Sequence, residues 1–213
     1  ALSHEDRDSV IQTFWSEIEL LSYATHPNIL PVMGVVMDGG EPRYLATQYC
    51  PDGTLQDLIR KDDYADMRTD AGRLPTETVL VVGAGIFDAL AYIETVGIIH
   101  RDVKPANVLI VVRGRQLDKV LLADFGEAKA LTRTLTRNTV AGTPVYMAPE
   151  MRDQAQGTGA KADVFSAGIV LAEMSSGKSP APTAEMRRGR AVPEAERRRA
   201  DLAAIQHPGV AAL

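Results

Sequence analysis

The chain carries a single cysteine, Cys50, in 213 residues, which excludes an internal disulfide and any zinc site built from several cysteines. That scarcity suits a reducing compartment. The longest candidate apolar run, "VFSAGIVLAEM" at 164–174, falls well short of the roughly 20 residues a bilayer span needs. The N-terminus lacks the basic start and apolar core of a signal peptide, so the expectation is a soluble, intracellular, cytoplasmic protein with no membrane span. A basic excess is missing as well: with a formal net charge of -5, nucleic acid is not expected as a partner. One local exception, "RRGRAVPEAERRR" at 187–199, reads as a solvated surface face.

The composition is otherwise that of a folded globular chain, 45% hydrophobic and 24% charged. Val10, Phe14, Ile18 and Leu21 recur at helical spacing, predicting a helix over 10–21 that stops before Pro27. "LPVMGVVMD" and "RYLATQY" lean towards strand and are joined by "GGEP", the pattern of a hairpin. A turn at Pro51-Asp52-Gly53 then starts a further helix, 61–75 reads as a surface loop, and another helix is expected over 76–96. Within that helix "VLVVGAGIFDAL" imitates a dinucleotide-binding turn, but Asp88 stands at the third glycine position. Val79, Val82, Ile86, Leu90 and Ile93 keep a helical period straight through it, which a strand and turn would not sustain. "KVLLADFGEAKA" reads as a strand that breaks at Gly126, and 161–175 as a helix apolar nearly all round, hence running through a core.

The stretch "IIHRDVKPANVLI" at 98–110 packs His100, Arg101, Asp102, Lys104 and Asn107 between apolar flanks. Polar groups set between buried elements must be paired or used. Asp102, Asn107 and Asp124 are each compatible with a plain Asx turn. Together they offer two carboxylates and a carboxamide, an oxygen set suited to a hard cation such as magnesium, and Lys104 adds a charge that can meet a phosphate. Phosphoryl transfer needs such a set: a metal and a cation on the phosphates, and a carboxylate to take the nucleophile's proton.

In these residues the chain resembles a eukaryotic protein kinase catalytic domain. "HRDVKPAN" resembles the family's catalytic loop, "DFG" at 124–126 its metal-binding loop and "APE" at 148–150 the end of its activation segment. "SEIELLSYATHPNIL" resembles the helix bearing the regulatory glutamate, and "ADVFSAGIVLAEM" the central helix of the larger lobe. The resemblance implies an α+β fold of two lobes: a partial small β lobe over 1–50 with a hinge from residue 48, and a mostly helical large lobe over 51–213.

It also implies roles. Asp102 is the expected base, Lys104 the neutraliser of the moving phosphate, and Asn107 and Asp124 the magnesium ligands. Thr47 falls at the gatekeeper position, Gln48, Tyr49 and Cys50 form the hinge against adenine, and Leu109 belongs with the ATP-binding residues. His100 and Phe125 are expected to pack with Leu21 and Val32, and Asp163 to anchor the catalytic loop from below. Glu17, Arg101, Lys129, Thr139 and Thr143 are the regulatory set, with Thr143 expected to hydrogen-bond near Asp102 and Lys104. In that set Thr139 takes a phosphate, from an upstream kinase or by autophosphorylation, that pairs with Arg101 and Lys129.

Lys104-Pro105 and "GTPVYMAPE" resemble serine/threonine kinases, with a lean towards the tyrosine-kinase-like group in "HPNILPVMGVV" and "GTLQDLI". ATP, magnesium and a protein substrate are thus the expected ligands. The glycine-rich strand pair and the lysine of the third strand have no match here, since the first lysine is Lys61. The expectation is therefore a fragment of a longer kinase domain, the alternative being a non-catalytic kinase-like module that binds partners.

Overall fold

The computed structural model describes residue 18 and residues 25–39, 41–126, 128–130, 143–152 and 159–180. Ile18 is helical, and the rest of the helix expected over 10–21 lies outside the described residues, as do Glu17, Leu21 and Thr139. The first sheet is the hairpin expected from the two strand-leaning runs: β1 (Val32–Asp38) pairs antiparallel with β2 (Glu41–Thr47), Val35 opposite Leu45. Its turn is tighter than "GGEP", because Glu41 already pairs with Asp38.

Helix α1 (Leu55–Arg60) starts on Thr54, whose hydroxyl accepts the Asp57 N–H at 3.2 Å while the Asp57 carboxylate accepts the Thr54 N–H at 3.0 Å. This reciprocal capping explains a sharp helix start directly after the Gly53 turn. The 61–75 segment is not plain loop, for Asp62–Met67 winds into a 3-10 helix with a kink at Tyr64. The Tyr64 hydroxyl donates to the Asp52 carbonyl at 2.5 Å and so fastens that turn to the body.

Helix α2 (Thr76–Thr95) buries Val79, Val82, Ile86, Ala89, Leu90 and Ile93 against the long hairpin and the last helix. Burying one such aliphatic side chain contributes about 1.5–3 kcal/mol relative to exposure, so this face dominates the core. Among the described residues, α2 rather than 164–174 is the helix long and apolar enough to cross a membrane, at 20 residues and mean hydropathy 1.5. Its inward face is occupied by the core of the fold.

The glycines that imitate a dinucleotide turn are packing positions inside this helix. A Cβ on Gly85 would lie 2.5 Å from Val120 Cγ2, and one on Gly83 would lie 3.3 Å from Leu171. Small residues let α2 approach the hairpin on one side and the last helix on the other.

After α2 come β3 (Ile98–Ile99), a 3-10 turn at Pro105–Asn107, and the hairpin of β4 (Val108–Arg113) and β5 (Gln116–Leu122). The strand expected to break at Gly126 ends earlier, at Leu122, because Asp124 turns the chain with φ 63. β6 (Lys129–Ala130) returns to pair with β3, and α3 (Pro149–Arg152) is a single turn. Helix α4 (Lys161–Ser176) crosses the core and stops at Gly177, whose φ of 68 supplies a left-handed cap. It is not apolar all round: Val164 is half exposed, and Asp163, Ser166 and Glu173 are buried.

Candidate active site

Asp163 is where the site is fixed to the core. Its carboxylate, from the first turn of α4, accepts the His100 N–H and the Arg101 N–H, each at 2.7 Å. Two bonds to consecutive amides hold Arg101 at φ 71, a left-handed backbone that costs a non-glycine residue about 1–3 kcal/mol. Burial raises the Asp163 pKa above its ordinary value, opposed by the neighbouring His100 imidazole and by the two amides.

His100 sits wholly inside, with Nε2 against the Ala123 carbonyl at 3.0 Å and Nδ1 accepting the Asp102 N–H at 3.3 Å. Those partners specify the neutral tautomer protonated on Nε2. Burial pushes its pKa below the ordinary value, consistent with that form. Its ring packs at 4.7 Å from Phe125, so one histidine joins the "HRD" loop to the "DFG" turn.

Asp102 is the centre of the cluster. Oδ1 accepts from the Thr143 N–H at 2.9 Å and from the Thr143 hydroxyl at 3.1 Å. Oδ2 accepts from Lys104 Nζ at 2.5 Å and from Asn107 Nδ2 at 3.0 Å. Four donors match the roughly four acceptor positions of a carboxylate, so a substrate hydroxyl must displace one of them to reach it. The Thr143 hydroxyl is the neutral, rotatable donor among the four.

Asn107 spends its amide nitrogen on Asp102, with a further bond to the Asp102 carbonyl at 2.9 Å, which leaves the amide oxygen as the end that can meet a cation. Its own carbonyl accepts the Ala123 N–H at 2.9 Å and so sets Asp124 one residue away. Asp124 is exposed, with one carboxylate oxygen 3.4 Å from the Gly126 N–H. Among the described residues no cluster of three or more His, Cys, Asp or Glu side chains could hold a metal alone. An amide oxygen and one carboxylate nevertheless fit magnesium, which takes one or two carboxylates and completes its shell with water and phosphate oxygens.

Asp124 also borders a cleft of about 190 Å³ lined by Leu30, Val32, Leu45, Thr47, Ala123 and Phe125. Thr47 and Asp124 are thereby brought to one cavity, while the other expected nucleotide contacts are arranged differently. The Gln48 N–H is taken by the Pro31 carbonyl at 3.1 Å, Tyr49 is largely exposed, and Leu109 lies half-buried in the β4–β5 hairpin opposite Leu121. Burial pushes the Cys50 thiol up, against the lowering effect of Lys119, which suits a packed side chain rather than a nucleophile. The backbone of Lys129 pairs with Ile99, two residues before Arg101, which is itself buried.

Sequence reasoning missed a second polar group. Glu173 in α4 accepts the Tyr146 hydroxyl at 2.7 Å and Arg60 Nη2 at 3.1 Å. Burial and the neighbouring Glu173 raise the Tyr146 pKa, so that phenol stays a donor. The available signal was a lone acid inside the apolar "IVLAEM".

A small antiparallel hairpin, a mainly helical body and an acid-and-amide loop beside an apolar cleft define an α+β fold with a polar site at its cleft. A model of the protein kinase domain matches residues 1–202, and the chain belongs to that family. The chain is 34% identical over 172 residues to the cytokinesis protein sepH of Emericella nidulans, covering 81% of this chain and 12% of that protein. It is 32% identical over 181 residues to mitogen-activated protein kinase kinase kinase 3 of Arabidopsis thaliana, covering 84% and 26%. It is 36% identical over 176 residues to the serine/threonine-protein kinase PkaA of Streptomyces coelicolor, covering 80% and 30%. The chain therefore spans less than a third of the length of each of these curated relatives.

Proposed function

We propose that the protein carrying this chain is a cytoplasmic, magnesium-dependent protein serine/threonine kinase, with residues 1–50 contributing to its small lobe and 51–213 to its large lobe. The observation that carries this reading is the Asp102 carboxylate held by Lys104, Asn107 and Thr143. In this reading a substrate hydroxyl replaces the Thr143 hydroxyl on Asp102 and attacks the γ-phosphorus of ATP. The new O–P bond forms, the bond to the bridging oxygen breaks, ADP leaves, and the hydroxyl proton passes to Asp102. Lys104, already beside Asp102, turns to the moving phosphate and offsets its charge. Asn107 and Asp124 are the residues that would hold magnesium, which neutralises phosphate charge when bound.

The cleft is smaller than the about 300–1,000 Å³ of pockets that enclose a whole ligand, so it suits the nucleotide's base with the phosphates outside, towards Asp124. Gln48, Tyr49 and Cys50 are the hinge of this reading and Leu109 stands with the ATP-binding residues, although none of the four lines the cleft. A regulatory arm of the same reading runs through Thr139: its phosphate, from an upstream kinase or by autophosphorylation, pairs with Arg101 and Lys129, while Glu17 is the partner of the family's ATP-contacting lysine. The serine/threonine kinases among the relatives support the choice of hydroxyl. Full-length protein supplied with labelled ATP and matched serine, threonine and tyrosine peptides is expected to label the first two. Labelling of tyrosine alone contradicts the substrate class, and labelling of none contradicts the activity.

A further inference from the structure

Away from Asp102, four side chains from separated parts of the chain share one node. Glu173, 2% exposed, binds the Tyr146 hydroxyl through one oxygen and Arg60 Nη2 through the other. The same Nη2 donates to the Ser179 hydroxyl at 3.0 Å. Arg60 is about half exposed, with a side-chain accessibility of 47%, and Ser179 is exposed, so the guanidinium reaches from a buried carboxylate to the surface. A neutral hydroxyl makes weak use of a group whose flat fork of N–H donors matches the oxygens of a phosphate. Pro180 restricts Ser179 to extended backbone, the form in which a peptide enters a modifying enzyme's cleft, and Lys178 adds a second cation beside it.

We propose that Ser179 is a phosphorylation site whose phosphate is bound by Arg60 and draws that guanidinium away from Glu173. The phosphoryl group comes from ATP on a protein kinase, this one or another. Ser179 Oγ bonds to the γ-phosphorus, the bond to the bridging oxygen breaks, ADP leaves, and the hydroxyl proton goes to that kinase's catalytic carboxylate. The product places a charge of about -1.5 to -2 at pH 7 within reach of Arg60. Glu173 then keeps Tyr146 as a partner and loses its cation, an unfavourable state for a buried carboxylate.

The disturbance has a short path to the active site. The Tyr146 N–H donates to the Thr143 carbonyl at 3.0 Å, and Thr143 holds Asp102 through two bonds. Phosphorylation of Ser179 therefore lowers turnover, a consequence that rests on the kinase reading above, whereas capture of the phosphate by Arg60 does not.

Two measurements on the full-length protein test this. Phosphopeptide mapping of protein from its native cells is expected to find phosphate on Ser179, and a map that covers 178–180 and finds none overturns the site. With phosphoserine installed at position 179, a phosphorus NMR titration is expected to place the second phosphate ionisation at least about half a pH unit below its ordinary value near 6. The variant Arg60→Gln should return it to about 6. Ionisation near 6 in both proteins overturns the role of Arg60. Should Arg60→Gln fail to fold, the side-chain nitrogen signals of Arg60 in the unsubstituted protein serve instead: they must shift on phosphorylation, and their constancy is equally fatal. Neither readout uses catalysis, so an inactive protein counts against the kinase reading alone.

Discussion

At Gly85 two opposing effects meet, and their sizes decide the outcome. Alanine in a helix interior is favoured over glycine by about 1 kcal/mol. The added Cβ, however, would meet Val120 Cγ2 at 2.5 Å and Asn28 Nδ2 at 2.9 Å, and overpacking of this kind costs about 1–3 kcal/mol. Gly85→Ala is therefore expected to lower the denaturation midpoint. Gly168→Ala, with nothing within 4 Å of the new Cβ, is expected to raise stability by up to about 1 kcal/mol. A gain at both positions contradicts the close approach of α2 to the hairpin.

His100 carries the pH prediction. Its folded pKa lies below the ordinary 6.5, so between the two values the unfolded chain binds more protons and stability rises with pH. The contribution is complete above 6.5 and is lost as the pH falls towards the folded value, at no more than about 1.4 kcal/mol per pH unit. Asp163, raised by burial, has the opposite sign: its contribution is complete below 3.8 and is lost as the pH rises through its elevated folded value. Urea unfolding from pH 7 down to 5 should show the acid loss, and His100→Gln should flatten it. An unchanged slope contradicts the buried neutral imidazole.

Among the elements, α4 does more than fill the core. Asp163 in its first turn sets the backbone of the Asp102 loop, and Glu173 near its end binds Tyr146 and Arg60. Removing the cation by Arg60→Ala leaves a buried carboxylate uncompensated. The loss for a fully buried pair is about 3–5 kcal/mol, and the half-exposed Arg60 reduces it to about 2 kcal/mol. Calorimetry should find Arg60→Lys between the two, and an Arg60→Ala protein as stable as the original contradicts the coupling.

The elements were legible in unequal degree. The period of α2 was plain because each turn buries an aliphatic residue, and the β1–β2 hairpin was plain because two β-leaning runs flank a glycine-rich turn. The 3-10 turn at Asp62–Met67 was not, since only Tyr64 and Met67 rest partly on the core and four of its six residues are polar or alanine. The early end of β5 was hidden for another reason: a left-handed aspartate turns the chain before the glycine at which the break was expected.

For the whole molecule, the fold brings the "HRD" loop, the "DFG" turn and Thr143 to one place. The motifs made Asp102, Lys104, Asn107 and Asp124 visible because such a polar set between apolar runs demands a use. Thr143 as a double donor to Asp102 was foreshadowed only by the resemblance, since 41 residues of chain separate the two. The node at Glu173 was harder still: its partners lie 27 and 113 residues away, and no spacing rule links them.

The kinase reading meets its most direct test in phosphoryl transfer by the full-length protein and its Asp102→Asn variant at saturating magnesium and ATP. The substitution keeps the shape and part of the hydrogen bonding but removes the proton acceptor. Loss of a general base lowers turnover by about 10²–10⁴-fold, so the variant's kcat should fall by at least about a hundredfold while ATP still binds. A variant that turns over at the rate of the unsubstituted protein contradicts the role of Asp102, and with it the reading of the site.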